Sequence, residues 1–598
     1  MNPPRLRYEG WLYGLAFLIG LGLRLIALGT APLNDAEANL ALQALHISNG
    51  ARPLLGPQPA YILLTSVLFL IIESTNFLAR FIPAIVGSAM VLTPFFFRAR
   101  LKPDPALILA FLFAIDPGLV AMSRQAGGVI LAVGFTLFAW GMWAHRRPVL
   151  AGIFAGLALL SGPSIWMGLI GLGLAGLFVR GIETRPYKKD AEVLDAPLSP
   201  VETSDDLELD SEFAPEIEQP LESGYILRPA LLALVVTLIL VGTLFFVVPN
   251  GLSAWVSSLP AYLAGWVNAS AATPSRMLFT LLVYEPLGLF FGILSLVRGF
   301  RTGSQGVIRF GLWLAVALVL GVFYRQPGEL VWVILPLLAL AALEISRTLG
   351  VVPAERLEVG VVTTALLILL AYIWFDIAAI GLDPFNQFVT ALPIIGSLQN
   401  PRYAILFGAL GILVLCILFV AFGWSSRVAW LGTAWAFLIF LTVYSLGAAW
   451  GGSGVRSPNG VELWSPDSRP AQATLLLQSV REVSEMSVGD VRSQPVTILG
   501  VDSAALEWLL RDHAVEEVTS IDPQSAPPLI ITPPMDNLGL ASAYRGQDFT
   551  WRQTVQYQTM RRPEWWRWLV NRQLPRQDEL IVLWARTDLF PDARQIIQ

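Results

Sequence analysis

Two carboxylates stand two residues apart in Leu33-Asn34-Asp35-Ala36-Glu37-Ala38-Asn39, directly after the first long apolar run of the chain. At the mouth of a membrane bundle, such a pair can act as a general base with its support or as ligands for a divalent cation such as Mg or Mn. Either role could activate an acceptor hydroxyl or amine. The same spacing also fits a helix start, with Asn34 or Asp35 as the cap and Glu37 favouring the first-turn dipole. Three arginines lie where they could hold an anion near this pair. Arg24 sits inside the first apolar run, where a charge is costly and faces the interior or snorkels. Arg124 follows Met122-Ser123 at one predicted outer turn and Arg325 follows Phe323-Tyr324 at another. Together they could form a basic rim for a lipid-linked phosphate, since the guanidinium fork matches phosphate oxygens. Tyr284-Glu285-Pro286 interrupts a further apolar run, and an intramembrane Glu is either functional or paired with a neighbouring Arg.

The elements that must position these residues follow from composition. The chain has 598 residues, 55% apolar and only 14% charged, with a net charge of −5; mean hydropathy is +0.62. A soluble domain is nearer one quarter charged, so a single soluble domain is excluded. Nucleic-acid binding is excluded too, because no basic tract occurs outside short loops. The single cysteine, Cys416, and three scattered histidines, His46, His145 and His513, exclude a disulfide framework and a Cys or His metal cage.

A spanning helix needs about 20 apolar residues. Candidates are 11–29, 81–97, 105–122, 127–144, 229–249, 276–297, 306–323, 329–345, 359–381, 403–423 and 428–447. The run 149–179 reads as two short spans meeting at Ser161-Gly162-Pro163. The first run lacks a cleavage site and reads as a retained anchor. Arg5 and Arg7 place the N-terminus in the cytoplasm. If the short apolar stretch 60–72 lies in the interface or re-enters, every basic loop falls inside; if it crosses, loops 98–102 and 145–147 fall outside. The first alternative gives about thirteen spans and an extracytoplasmic C-terminal region. The fold class is therefore mainly α, a polytopic transmembrane bundle with a small soluble α/β domain.

Residues 1–182 form the first membrane module, with the acidic outer loop 30–80, and 229–450 form the second. Between them, 183–228 reads as a disordered cytoplasmic loop, with thirteen Asp/Glu against three Lys/Arg in 183–222. In the tail, 451–598, Pro495–Gly500 and Pro528–Thr532 read as buried strands and Glu579–Ala585 as a late strand. Ala504–Arg511 reads as a helix capped by Asp502 or Ser503. Trp565-Trp566-Arg567-Trp568 fits a membrane interface or a small core better than a sugar platform. No Walker loop, strand-borne G-x-G-x-x-G or nucleophile elbow is present. An ion-coupled transporter is disfavoured by few intramembrane acids, chiefly Glu285, Glu344 and Asp376, and by the absence of an inverted repeat.

Several segments resemble the dolichyl-phosphate-mannose–protein mannosyltransferase family, in the GT-C class of polytopic glycosyltransferases that also includes bacterial aminoarabinose transferases and oligosaccharyltransferase catalytic subunits. Arg24-Leu25-Ile26-Ala27-Leu28-Gly29 followed by Asp35-Ala36-Glu37-Ala38 is similar to that family's first span and acidic loop. Gly56-Pro57-Gln58-Pro59-Ala60-Tyr61 with Phe77-Leu78-Ala79-Arg80-Phe81-Ile82-Pro83-Ala84 is similar to its "PP-L-Y … A-R-L-P-S-A" stretch. Asp116-Pro117 with Ser123-Arg124, and Gly156 to Gly162, match two further motifs. Leu281-Leu282-Val283-Tyr284-Glu285, together with Val501-Asp502 … Glu507-Trp508-Leu509-Leu510-Arg511-Asp512, resembles a prokaryotic branch associated with archaeal-type N-glycosylation genes.

The resemblance implies an inverting transfer from a polyprenyl-phosphate-linked sugar to a protein, lipid or glycan acceptor. Asp35 or Glu37 would be the acceptor-activating or metal-binding carboxylate, with Arg124 and Arg325 near the lipid phosphate. The sequence departs from the pattern at three places. Ala36 separates the two acids, Gly127-Gly128-Val129 carries no carboxylate, and Gly162 stands where Lys is frequent. These departures leave a second reading, a non-catalytic paralogue that binds glycolipid or assists a flippase.

Overall fold

The computed structural model describes residues 8–183, 223–268, 272–351, 355–383, 402–452, 461–464, 468–555, 557 and 560–590. Arg5, Arg7, the acidic segment 184–222 and most of the loop 382–402 lie outside them. The first module runs through α1 (Glu9–Leu25), α2 (Asp35–Ser48), α3 (Pro59–Ile71), α4 (Asn76–Met90), α5 (Arg98–Leu101), α6 (Pro103–Ile115), α7 (Pro117–Ser123), α8 (Val129–Ala144), α9 (Pro148–Leu160) and α10 (Ser164–Glu183). The second runs through α11 (Ser223–Gly242), α12 (Asn250–Val267), α13 (Pro274–Tyr284), α14 (Pro286–Thr302), α15 (Gln305–Tyr324), α16 (Val331–Gly350), α17 (Arg356–Leu382), α18 (Arg402–Gly423) and α19 (Ser426–Gly452).

The apolar runs read as spans fall mainly on these helices, with 105–122, 149–179 and 276–297 each divided between two of them and 11–29, 81–97 and 229–249 running past the helix ends. Among the described residues, seven helices are long and apolar enough to cross a membrane, or up to nine if each of two bent pairs is one span. The chain is thus a multi-pass membrane protein. The bent pairs are α6 with α7, at 55°, and α13 with α14, at 92°. Asp116-Pro117 and Glu285-Pro286 occupy the two breaks, each with Pro at the first position of the next helix, where its missing N–H costs nothing. α16 is buried along almost its whole length at the bundle centre. α18 turns Phe407, Phe419 and Phe422 outward, as a lipid-facing helix must. The run 149–179 breaks as expected: Gly162 has φ +112°, and a Cβ there would meet Pro57 O at 2.8 Å.

The loop 30–80 is not irregular. Its helices α2 and α3 pack on one another, and α3, at 13 residues, is short for a crossing. Above it sits the C-terminal domain, built from α20 (Ala473–Val488), α21 (Ala504–Leu509), α22 (Arg562–Asn571) and a five-stranded sheet. Its strands are β1 (Val496–Leu499), β2 (Val515–Val518), β3 (Leu529–Thr532), β4 (Tyr544–Val555) and β5 (Arg576–Arg586). Their order is β2-β1-β3-β5-β4. β1 pairs in parallel with β2 and β3, while β5 runs antiparallel to β3 and β4. β1, β3 and β5 match the strands expected from sequence, and α21 the expected helix with Ser503 at its cap. α20, β2 and β4 were not apparent in the sequence.

Candidate functional site

Asn34, in extended backbone, caps α2. Its side chain accepts from Glu37 N at 2.8 Å while Glu37 Oε2 accepts from Asn34 N at 3.3 Å, a reciprocal capping box. Glu37 is buried, and Arg80 from α4 closes on its carboxylate through Nε at 2.8 Å and Nη2 at 2.6 Å. Ala126 N, in the turn after α7, donates a further bond at 2.9 Å. Burial alone would raise the Glu37 carboxyl; Arg80 first, then Arg469 and the Ala126 amide, outweigh it and hold it below the usual carboxylate range. Arg80 also donates to the carbonyls of Leu28, Ala31 and Pro32. Glu37 and Arg80 therefore tie together the turn after α1, the start of α2 and the turn after α7.

Asp35 points the other way, into the C-terminal domain. Its Oδ1 accepts from Ser503 Oγ at 2.6 Å and Ala505 N at 3.0 Å; its Oδ2 accepts from Arg552 Nε at 2.9 Å and Nη2 at 2.7 Å. A register shift in β4 between Thr550 and Arg552 sends Trp551 into the domain core and Arg552 toward Asp35. Trp508 Nε1 to Asn76 Oδ1 at 2.8 Å and Arg511 Nη2 to Ser74 O at 2.9 Å complete the grip. Asp35 and Glu37 thus do not converge on one point. All four of their oxygens accept from N–H or O–H donors, and an arginine holds each carboxylate, so the pair as arranged does not fit a shared divalent cation. Among the described residues, no group of three or more His, Cys, Asp or Glu could hold one.

The basic rim is only partly a rim. Arg24 is fully buried and donates to Ser123 Oγ and to the carbonyls of Gly20, Phe113 and Ala114, bracing the bend between α6 and α7. Arg124 donates to the carbonyls of Leu23, Arg24, Ile26 and Ala27, closing the end of α1. Arg325, at φ +60° as the cap of α15, donates its backbone N–H to Gly321 O, while its half-buried side chain makes no hydrogen bond or ion pair among the described residues. Glu285 faces Asp116 rather than an arginine, and each keeps one oxygen without a partner among the described residues. Tyr284 donates to Glu462, in the segment after α19, and accepts from Leu463 N at 3.3 Å.

Two features were not found from the sequence. The first is a charged layer between the bundle and the domain. Arg80, Arg124, Arg469 and Arg572 interleave there with Glu37 and Glu462. The second is an apolar cavity of 920 Å³ between α13, α17, α19 and α22, walled by residues such as Phe279, Trp374, Phe440 and Trp565. That volume is in the range of small-molecule sites. Trp565 and Trp566 line this cavity while Trp568 is buried, so the tryptophan cluster is packing rather than an exposed platform.

At the polar end of the cavity stands Arg276, 6% exposed, its guanidinium 3.8 Å over the Tyr557 ring. Its Nε and Nη2 have no hydrogen-bond partner among the described residues, a costly state for a buried cation. Tyr444 lines the same cavity and contacts Arg572, which reaches Glu462 at 3.5 Å, so cavity and charged layer adjoin. Arg276 could have been flagged from sequence. A cation in the first turn of an apolar helix, after Thr273-Pro274, opposes the helix dipole.

No protein-family model and no curated protein matches the chain. Solved structures do. ArnT from Cupriavidus metallidurans bound to undecaprenyl phosphate superposes with a TM-score of 0.54 at 13% identity, over 97% of this chain and 99% of that one. ArnT from the same organism in the apo state gives 0.51 at 16%, over 97% and 98%. The Archaeoglobus fulgidus oligosaccharyltransferase in the apo form gives 0.40 at 15%, over 84% and 64%, too loose to argue from. The ArnT likeness shows a shared fold over bundle and C-terminal domain together.

Proposed function

We propose that this protein is a membrane glycosyltransferase that moves a sugar from a polyprenyl-phosphate donor to an acceptor at the outer face of the membrane. The observation that carries the reading is the 920 Å³ apolar cavity headed by the unpartnered Arg276. An isoprenoid chain matches the walls, and a single phosphodiester charge matches the guanidinium. The ArnT structure of the same fold holds undecaprenyl phosphate, which supports a lipid phosphate as the ligand here. The mannosyltransferase-like branch suggested by the sequence motifs remains part of this proposal, as does the cytoplasmic N-terminus.

In the reaction, the bond from the anomeric carbon to the phosphate oxygen breaks, and the phosphate leaves with the electron pair. An acceptor oxygen or nitrogen attacks the opposite face, giving inversion, and a carboxylate takes its proton. Asp35 is the carboxylate suited to that step. Its side chain is 34% exposed and all its side-chain partners belong to the C-terminal domain, so a shift of that domain would free it. Glu37, locked to Arg80, positions the loop. Arg276 neutralises the leaving phosphate, Arg325 contributes at the rim, and Arg24 and Arg124 hold the backbone turns in place. Asp35 and Glu37 as arranged do not fit a shared divalent cation, and no step is assigned to one.

One observation favours a second reading, a non-catalytic glycolipid-binding protein: every oxygen of Asp35 and Glu37 is already engaged. The test is transfer of labelled sugar from a panel of polyprenyl-phosphate donors in proteoliposomes. Transfer that is lost in Asp35→Asn supports the enzyme. Lipid binding without transfer from any donor supports the second reading.

A further inference from the structure

The charged layer between the bundle and the C-terminal domain carries more positive than negative charge. Arg80, Arg124, Arg469 and Arg572 face Glu37 and Glu462, a surplus of two cations among the described residues. Three of the four arginines are accounted for. Arg80 is saturated by Glu37 and three carbonyls, and Arg124 by four carbonyls. Arg572 is held by Glu462, Tyr444, Leu569 O and the Trp568 ring. Arg469 differs. It is half-buried in the irregular stretch just before α20, and its Nε is shielded from solvent with no partner among the described residues. It makes no hydrogen bond or ion pair among the described residues. Glu37 and Glu462 attract it at electrostatic rather than contact range, and Arg80 repels it. A shielded guanidinium N–H with no acceptor is a costly state that an anion would complete.

We infer that Arg469 anchors an oxyanion, a phosphate or carboxylate group, on the acceptor. Its assignment to the acceptor rests on the transferase reading, in which Arg276 in the apolar cavity takes the donor phosphate. Arg469 belongs instead to the polar layer beside Glu37 and Arg80, under the loop that bears Asp35. An acceptor held there by its anionic group would present a nearby hydroxyl to Asp35. The binding site itself does not depend on that reading.

The test uses full-length protein in nanodiscs, titrated calorimetrically with inorganic phosphate, acetate, glycerol 3-phosphate and glycerol. A second arm measures polyprenyl-phosphate binding. Wild type should bind the anions and not glycerol. Arg469→Gln should weaken anion binding roughly ten- to a hundredfold, the loss expected for a charged hydrogen bond, with polyprenyl-phosphate binding retained. Arg469→Lys should keep part of the anion affinity, which separates charge from folding. Arg276→Gln should show the reverse pattern. Wild type that binds no anion, or Arg469→Gln that binds phosphate like wild type, would overturn the site. If the anions bind as expected but wild type fails to bind polyprenyl phosphate, the donor reading falls and with it the acceptor role, while the Arg469 anion site stands.

Discussion

The Glu37 and Arg80 pair offers a sharp test of what the acidic first loop is for. Both side chains are almost fully enclosed, at 4% and 2% exposure. Replacing Arg80 with Ala removes five hydrogen bonds at once and leaves the Glu37 carboxylate buried with only two backbone N–H donors. Removing one partner of a buried pair costs about 3–5 kcal/mol. Glu37→Gln is milder. Its amide oxygen can still accept from a backbone N–H, and Arg80 keeps the Leu28, Ala31 and Pro32 carbonyls, so about 1–3 kcal/mol is expected.

The pH dependence follows from the same contacts. The folded carboxyl lies below its unfolded value, so its stabilisation is complete above the unfolded value near pH ~4.3. It is lost as the pH falls from there through the folded value. Denaturant unfolding of purified protein in detergent, at neutral and acid pH, measures these quantities. Arg80→Ala should be the less stable variant, and Glu37→Gln should flatten the acid limb. Arg80→Ala within about 0.5 kcal/mol of wild type, or an acid limb unchanged in Glu37→Gln, would refute the claim that Glu37 is a structural tie.

Two further outcomes follow from the domain grip. Arg552→Ala removes two charge-assisted bonds from a partly exposed Asp35, worth about 1–2 kcal/mol after discounting for solvent; hydrogen exchange should rise in α21 and in the first turn of α2, and unchanged exchange there would count against the clamp. On the opposite side, a Cβ at Gly381 would meet Val570 Cγ2 at 2.5 Å and Trp566 O at 2.7 Å. Gly381→Ala should therefore push α22 from α17, lower thermal stability and weaken lipid binding in the adjoining cavity; a native melting temperature with full lipid binding would refute that contact.

The bundle was legible because spans announce themselves by length and composition, and β1, β3 and α21 because their patterns are local. The grip was not. Asp35 meets Arg552 across 517 residues, and Glu37 meets Arg80 across 43; spacing in the chain carries no trace of either pair. Two carboxylates two apart look like one site, yet the first turn of α2 sends one into the bundle and the other into the domain. Depth in the first span suggests Arg24 as an anion ligand, and the turn after Met122-Ser123 suggests Arg124, but free carbonyls at the bend between α6 and α7 and at the end of α1 claim them first. Arg276 carries one local signal, a cation in the first turn of an apolar helix, but only the cavity beside it sets it apart from ordinary juxtamembrane arginines.

Binding of polyprenyl phosphate to the full-length protein, followed by native mass spectrometry, bears most directly on the proposed lipid site. Wild type should retain the lipid phosphate in preference to the neutral polyprenol, and Arg276→Gln should lose that preference with affinity down roughly tenfold or more. Equal retention of phosphate and alcohol by wild type, or undiminished phosphate binding by Arg276→Gln, would contradict the assignment of this cavity to a lipid-linked donor.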